Sequence, residues 1–254
     1  MTTAISSTDL SLALQTEHER HTGLEAFSRV EHWVFDLDNT LYPHHSNLFA
    51  QMDKKMTAYL AKLLGLEHDE AQKVQKSYYN TYGTTLRGLM VENGITPDDF
   101  LEYVHDIDHS VLEPDPKLDA VLEALPGHKY VFTNGTKKHA EAVLERLGVS
   151  VEFQHIFDIV SADLIPKPND EPYEKFLSET GIDPIKAAMF EDMSKNLRVP
   201  HKQGMLTTLI VPRGTRDLFH EEWELEEENN HVGYVTDHLC VFLEDVLSMI
   251  GQTR

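Results

Sequence analysis

Residues 34–43, Val-Phe-Asp-Leu-Asp-Asn-Thr-Leu-Tyr-Pro, constrain the fold more than any other stretch. Val34 and Phe35 end a short apolar run that begins at Trp33, and such a run reads as a buried strand. Asp36 and Asp38 follow, with Asn39 and Thr40 behind them. A strand that ends in acids places carboxylates at the carboxyl edge of a sheet, where open α/β sheets bind ligands. Residues two apart share a side of a strand, and the turn at its end lets both reach one ligand from different angles. One carboxylate can then act as a nucleophile and the other as a proton carrier, and their oxygens suit a hard cation such as Mg²⁺. Asp-x-Asp-Asn-Thr is also good turn chemistry, so the stretch alone leaves an ordinary loop open.

The rest of the chain supplies the context. Leu48, Met52, Met56, Leu60 and Leu63 recur at helical spacing up to Gly65. Further helices are predicted over 68–81, after Gly83–Leu89, and from Thr96-Pro97-Asp98-Asp99, where Pro and acids mark a helix start. Residues 44–115 therefore read as all-helical, and Glu113-Pro114-Asp115-Pro116 as the return linker. Beyond it, helices over 117–125, 137–147, 172–180 and 238–249 alternate with strands at 130–133, 157–161, 187–190 and 206–211, and Val235-Thr236 is a further short candidate. That alternation implies a parallel sheet with helices on both faces. The expected fold is α/β, a Rossmann-like core formed by 31–43 and 116–254, with 44–115 inserted as a helical cap. Residues 1–30 form a lead-in segment with room for a short helix. Glu221–Glu228 is an acidic run that reads as a solvated face or loop.

Other strand ends carry polar groups. Thr133, Asn134 and Gly135 follow a strand and open a helix, which suits either an anion or an ordinary helix cap. Lys167 lies between Pro166 and Pro168; it is either a fixed point charge for a phosphate or carboxylate, or a solvated loop lysine. Glu191-Asp192, with Asn196 a turn later, offers metal oxygens or simply acids at a helix N-terminus. In combination these supply a nucleophile, a proton carrier, phosphate donors, a cation and metal ligands, the parts that phosphoryl transfer requires.

Composition narrows the partners. A formal net charge of −21 repels phosphate backbones and argues against a nucleic-acid polymer, while local cations and a metal still admit a small anion. Cys240 is the single cysteine, which excludes an intrachain disulfide and suits a reducing cytoplasm. No apolar run approaches membrane-spanning length, and the first thirty residues lack a secretory pattern.

From about residue 31 onward the chain resembles the haloacid-dehalogenase-like hydrolase superfamily, with its four motifs in order. Asp36-x-Asp38-Asn-Thr resembles the first, Thr133 with Asn134 the second, Lys167 the third and Glu191-Asp192 with Asn196 the fourth. The helical insertion resembles the superfamily's C1 cap. More narrowly, Asp-Leu-Asp-Asn-Thr-Leu-Tyr-Pro, Tyr79-x-x-Tyr82-Gly83-Thr84-Thr85-Leu86-x-Gly88-Leu89 and Phe190-Glu191-Asp192 are similar to pyrimidine 5′-nucleotidases. The resemblance implies that Asp36 attacks phosphorus to form an aspartyl phosphate and that Asp38 serves as acid, then base. It implies Mg²⁺ held by Asp36, the Asp38 carbonyl and Asp192, with phosphoryl oxygens on Thr133, Asn134 and Lys167. Glu where many members have Gly or Asp, and Asn196 where many have Asp, make Glu191 and Asn196 secondary metal candidates. His44, Tyr82, Thr84 and Arg87 are the candidate substrate contacts of the cap; a zinc role for His44 and His45 finds no third soft ligand. Asp38 argues against a dehalogenase, which needs no proton at its leaving group. The expected partner is a small phosphorylated metabolite such as a nucleoside monophosphate, bound by a monomer or homodimer. Sugar-phosphate and phosphoglycolate phosphatases, phosphomutases and a non-catalytic binding protein are the alternatives.

Overall fold

The computed structural model describes residues 23–214 and 230–252. Its centre is β1 (His32–Phe35), in which Trp33, Val34 and Phe35 are fully buried. Burying an apolar side chain of the size of Val34 or Phe35 stabilises the fold by about 1.5–3 kcal/mol. The period-two alternation sends Trp33 and Phe35 to one face of the sheet and Val34 to the other. Both faces are covered, which explains why this strand is apolar throughout rather than alternating with polar residues.

The sheet is six-stranded in the order β3-β2-β1-β4-β5-β6, with every pairing parallel. The other strands are β2 (His128–Phe132), β3 (His155–Phe157), β4 (Ala187–Glu191), β5 (Leu206–Ile210) and β6 (Tyr234–Thr236). The chain leaves β1 for β2 and β3 on one side, then crosses to β4 on the other. The carboxyl end of β1 is therefore the switch point, where such sheets open a crevice.

Between β1 and β2 lie α1 (Leu48–Leu64), α2 (His68–Tyr82), α3 (Thr85–Asn93) and α4 (Pro97–His105). They share a small apolar cluster of Leu60, Ala71, Leu86, Leu89, Phe100, Leu101 and Val104, joined by Ile159 from the loop after β3. The Trp33 face packs on α5 (Pro116–Ala124), α6 (Lys137–Leu147) and α9 (Leu239–Gln252) through Val121, Val143 and Leu243. The Val34 face packs on α7 (Asp170–Thr180) and α8 (Arg198–Gln203) through Tyr173, Phe176 and Val199. This is the expected α/β architecture, a Rossmann-like parallel sheet with helices on both faces.

Two elements differ from the sequence reading. The helix expected after Gly83–Leu89 begins inside that stretch, at Thr85, because the Thr84 hydroxyl caps it there. The strand expected over 157–161 lies at His155–Phe157. Its ladder on β2 ends at the Phe132–Phe157 pair. The Asp158 carboxylate then accepts from the N–H groups of Lys137 and Ser161 at 2.8 Å each, and this pulls the chain into a turn. The acidic run Glu221–Glu228 and residues 1–22 of the lead-in lie outside the described residues. Among the described residues no helix is long and apolar enough to cross a membrane.

Candidate active site

Asp36 continues the β1 ladder by one residue, its N–H donating to the Phe190 carbonyl at 2.9 Å. The chain then curls: the N–H groups of Thr40 and Leu41 both donate to the Leu37 carbonyl, and Asn39 takes a left-handed φ of 60°. That curl separates Asp38 from the line of Asp36, so the two carboxylates meet different partners. Asn and Asp tolerate this backbone region better than other non-glycine residues.

Asp36 faces Lys167. The Lys167 Nζ donates to Asp36 Oδ1 at 2.8 Å, to Glu191 Oε1 at 2.7 Å and to the Phe132 carbonyl at 2.8 Å. All three ammonium hydrogens are thereby used, inside a site where Lys167 is 1% exposed. Burial pulls the Lys167 ammonium down, but the Asp36 and Glu191 carboxylates outweigh it and hold the group charged. The solvated-loop alternative for Lys167 is thus removed. The Asn134 amide clamps the same loop, accepting from the Lys167 N–H at 2.9 Å and donating to its carbonyl at 3.2 Å. The Asn134 side chain is therefore engaged with Lys167 rather than open toward the site. Thr133 is buried and accepts from the Gly135 N–H at 2.9 Å, which leaves its own hydroxyl hydrogen to donate.

Glu191 is tied on both oxygens: Oε1 accepts from Lys167 and from Asn196 Nδ2 at 2.6 Å, and Oε2 from the Met193 N–H at 2.7 Å. Asn196 thus anchors Glu191. Asp192 accepts from Asn39 Nδ2 at 3.2 Å, and His44 Nε2 stands 3.5 Å from the same oxygen. Oxygens of Asp36, Glu191 and Asp192 lie within 4.8 Å of one another.

Charge in this cluster is unbalanced. Burial raises the Asp36 carboxyl well above its ordinary range, Lys167 opposes it, and the Glu191, Asp192 and Asp38 carboxylates add to the rise. Burial and Glu191 raise Asp192 in the same way. Three clustered carboxylates against one lysine fit a hard dication with oxygen ligands. Glu191 already accepts three hydrogen bonds from protein donors, so Asp36 and Asp192 are the less encumbered oxygens of the three.

This imbalance predicts a pH-dependent metal effect. Raised folded pKa values add stability below the ordinary carboxylate range, and that stability is lost as pH rises through them. A bound dication offsets the loss. Mg²⁺ at about 100 times its dissociation constant should add about 2.7 kcal/mol, or about 5–10 °C in Tm for a chain of this size. The gain should shrink as pH falls and protons compete for Asp36 and Asp192. Thermal unfolding with Mg²⁺ or chelator across a pH series checks this; a gain independent of pH would contradict it.

Asp38 has its own partners. Tyr42 donates its hydroxyl hydrogen to Asp38 Oδ1 at 2.5 Å, and His139 Nε2 lies 2.9 Å from the same oxygen. Burial pushes the Asp38 carboxyl up, but the charge and hydrogen bond of His139, with the Tyr42 hydroxyl, hold it below its ordinary value. Neither partner was anticipated from the sequence. Tyr42 stands one helical turn after Asp38, a signal that was readable; His139 is 101 residues away and gave none.

The helical segment meets the site through His44 and through Tyr79, which was not among the candidate substrate contacts. His44 touches Asp192. Thr84 caps α3, its hydroxyl accepting from the Arg87 N–H at 3.1 Å. The Tyr82 hydroxyl donates to Glu92, and its ring packs edge-on against Tyr78. The Arg87 side chain makes no hydrogen bond or ion pair among the described residues. Instead Tyr79 reaches across: its hydroxyl lies 3.0 Å from Met193 Sδ, and Lys195 Nζ sits 3.9 Å above its ring. Gly83 (φ +86°) lies against the Lys167 loop; a Cβ there would stand 3.2 Å from Pro166 and 3.6 Å from the Lys167 carbonyl.

Fold and site together define a parallel α/β core with its polar groups gathered at the switch point. The sequence profile of the haloacid dehalogenase-like hydrolases matches residues 30–197, which span β1 and all the core groups described above. The chain belongs to that family. Phosphate metabolism protein 8 of Saccharomyces cerevisiae is 30% identical over 191 residues, which cover 68% of this chain and 59% of that protein. The chain thus spans about three-fifths of the length of this relative. Among solved structures, a HAD phosphatase from Thermococcus onnurineus superposes with a TM-score of 0.57 at 17% identity, covering 87% of this chain and 98% of that one. A HAD-hydrolase of Bacillus subtilis described as bound to magnesium gives a TM-score of 0.50 at 12% identity, covering 87% and 98%. These two share the fold with this chain.

Proposed function

We propose that the protein is a Mg²⁺-dependent phosphomonoesterase that works through an aspartyl phosphate and acts on a pyrimidine nucleoside 5′-monophosphate. In this reading 31–43 and 116–254 form the catalytic core, and 44–115 is a cap that closes over it. The observation that carries the phosphatase part is the division of labour between the paired acids. Asp36 is held by Lys167 beside the acidic cluster, and Asp38 is held apart by Tyr42 and His139.

The roles are those the family resemblance implies, and that geometry supports them. Asp36 Oδ2, opposite the oxygen bonded to Lys167, attacks phosphorus. The leaving alkoxide takes a proton from Asp38, which becomes a carboxylate. Asp38 then takes a proton from water as the water oxygen attacks phosphorus, freeing Asp36 and inorganic phosphate and restoring the protonated Asp38. Its lowered carboxyl range keeps Asp38 ionised in the free protein, the form that can accept a proton, and an arriving phosphate dianion raises it toward the protonated form that the acid step needs. Thr133 donates its hydroxyl to a phosphoryl oxygen, and Asn134 fixes the backbone that carries Lys167. Asp36, Asp192 and the Asp38 carbonyl would hold Mg²⁺, which would supply charge neutralisation; without it a carboxylate is a poor nucleophile toward a phosphate dianion. Glu191 and Asn196 position Lys167 through Glu191 Oε1, and they stay secondary candidates for the metal.

The nucleotide rests on the Tyr79–Leu89 stretch that resembles pyrimidine 5′-nucleotidases, and its Gly83 lies against the Lys167 loop. The name of the yeast relative, a phosphate metabolism protein, agrees with a phosphorylated metabolite. His44 and Arg87 are the polar cap groups assigned to substrate, and Tyr79 joins Tyr82 as an aromatic candidate for the base. The reading places the enzyme in a reducing cytoplasm, as a monomer or homodimer. The test is kcat/KM for UMP, CMP, AMP and GMP beside sugar phosphates and phosphoglycolate, with Arg87→Ala in parallel. Pyrimidine monophosphates should lead by tenfold or more, about 1.4 kcal/mol in transition-state binding. A tenfold preference for sugar phosphates would overturn the nucleotidase reading and leave the phosphatase chemistry standing.

A further inference from the structure

We infer that His139 is a positioning residue for Asp38: it fixes one carboxylate oxygen so that the other delivers and receives the proton, and it ties that orientation to the end of the helical segment. The inference rests on the reading of Asp38 as acid and base, and it concerns how that residue is held.

A carboxylate on a free side chain rotates, and either oxygen can carry the proton. Here the two donors converge on Oδ1, Tyr42 at 2.5 Å and His139 Nε2 at 2.9 Å. Among the described residues Oδ2 accepts no hydrogen bond, and the Asp38 side chain keeps 15% of its surface exposed. Gly135 lies on that side, and a Cβ there would stand 3.6 Å from Oδ2. A carboxylate only accepts, so Nε2 of His139 carries the hydrogen. The proton that moves in catalysis therefore belongs to Oδ2.

His139 is itself held. It lies in the first turn of α6, with its side chain sealed from solvent. Its Nδ1 is 3.2 Å from Nε2 of His109, and the rings of His105 and His109 pack on it at centroid distances of 4.9 and 5.4 Å. His105 is fixed in turn, its Nδ1 donating to the Leu101 carbonyl at 2.8 Å. His105 ends α4, and His109 opens the short helical turn ahead of the return linker. A chain of contacts thus runs from the end of the helical segment to Asp38. A histidine that merely filled the core would not need both ring nitrogens aimed at polar partners, one of them in the site.

The experiment compares His139→Gln with His139→Asn. The Gln amide nitrogen falls near the position of Nε2, and that of Asn near Nδ1, so both variants are polar and similar in size but only Gln reaches Asp38. Tyr42→Phe serves as the second probe, removing the other donor without emptying the core. Single-turnover rates are measured with an alkyl phosphate and with para-nitrophenyl phosphate, whose leaving group needs no proton, and KM is measured in parallel. His139→Asn should lose about 100-fold on the alkyl phosphate, the scale of a 1 Å misplacement. It should lose less than tenfold on the nitrophenyl ester, with KM little changed. His139→Gln should recover most of the loss, and Tyr42→Phe should show the same leaving-group dependence. Equal losses on both substrates, or Gln no better than Asn at equal thermal stability, would overturn the inference. Absence of turnover in the unaltered protein would instead overturn the phosphatase reading.

Discussion

Asp36→Asn should lower kcat by at least about 10⁴-fold, since an amide cannot form the aspartyl phosphate and loss of a covalent nucleophile has effects of that order or larger. The fold should survive. The amide oxygen introduced by the substitution can still accept from Lys167 Nζ, which also keeps Glu191 and the Phe132 carbonyl as partners. Metal-free stability should hold or rise, because the substitution removes one charge from a buried cluster in which Glu191 and Asp192 push the Asp36 carboxyl up. The Mg²⁺-dependent gain in Tm should shrink at the same time. Turnover of para-nitrophenyl phosphate and thermal unfolding with and without Mg²⁺ check the three expectations together. A variant that keeps a tenth of the activity would remove Asp36 as the nucleophile.

Asp38→Asn should cost about 10²–10⁴-fold on alkyl phosphates, the range of general acid–base catalysis. On para-nitrophenyl phosphate the first step should suffer far less, because nitrophenolate leaves without a proton. Hydrolysis of the aspartyl phosphate should still be slow, as it needs a base for water. The expected signature is a burst of nitrophenolate close to one equivalent per enzyme, followed by a slow steady rate. The amide can still accept at its oxygen from Tyr42 and His139, so a large loss of stability is not expected. A steady rate reduced without a burst, equally for both kinds of ester, would argue against the acid and base roles.

What the sequence made legible was local. The buried strand at Trp33–Phe35 and the acids behind it were readable because a central parallel strand is apolar on both faces and stops abruptly at the crevice. The helix limit at Gly65 was readable from the glycine itself, which takes the left-handed cap. What was not legible was contact across the chain. Nothing near Lys167 shows that its ammonium bonds Asp36, 131 residues away, as well as Glu191. Asn134 reads as a phosphate donor, and nothing near it shows that its amide also clamps the Lys167 backbone. Tyr82 and Tyr79 are both aromatic and lie three apart on α2, nearly a full turn, and only packing shows that Tyr79 meets Met193 and Lys195 while Tyr82 meets Glu92. The strand expected at 157–161 failed for the same reason: the ladder limit was set by β2, and the turn by Asp158 bonding back to Lys137.

The account turns on a phosphoryl group passing through the Asp36 carboxylate. Rapid acid quench of the protein during turnover of a phosphate-labelled substrate, followed by peptide mapping, measures this directly, and Asp38→Asn should raise the yield by slowing the second step. The account predicts label on the peptide containing Asp36, at the Asp36 carboxylate, and none there in Asp36→Asn. Label on another residue, or steady turnover of Asp38→Asn with no labelled peptide at any time point, would contradict it.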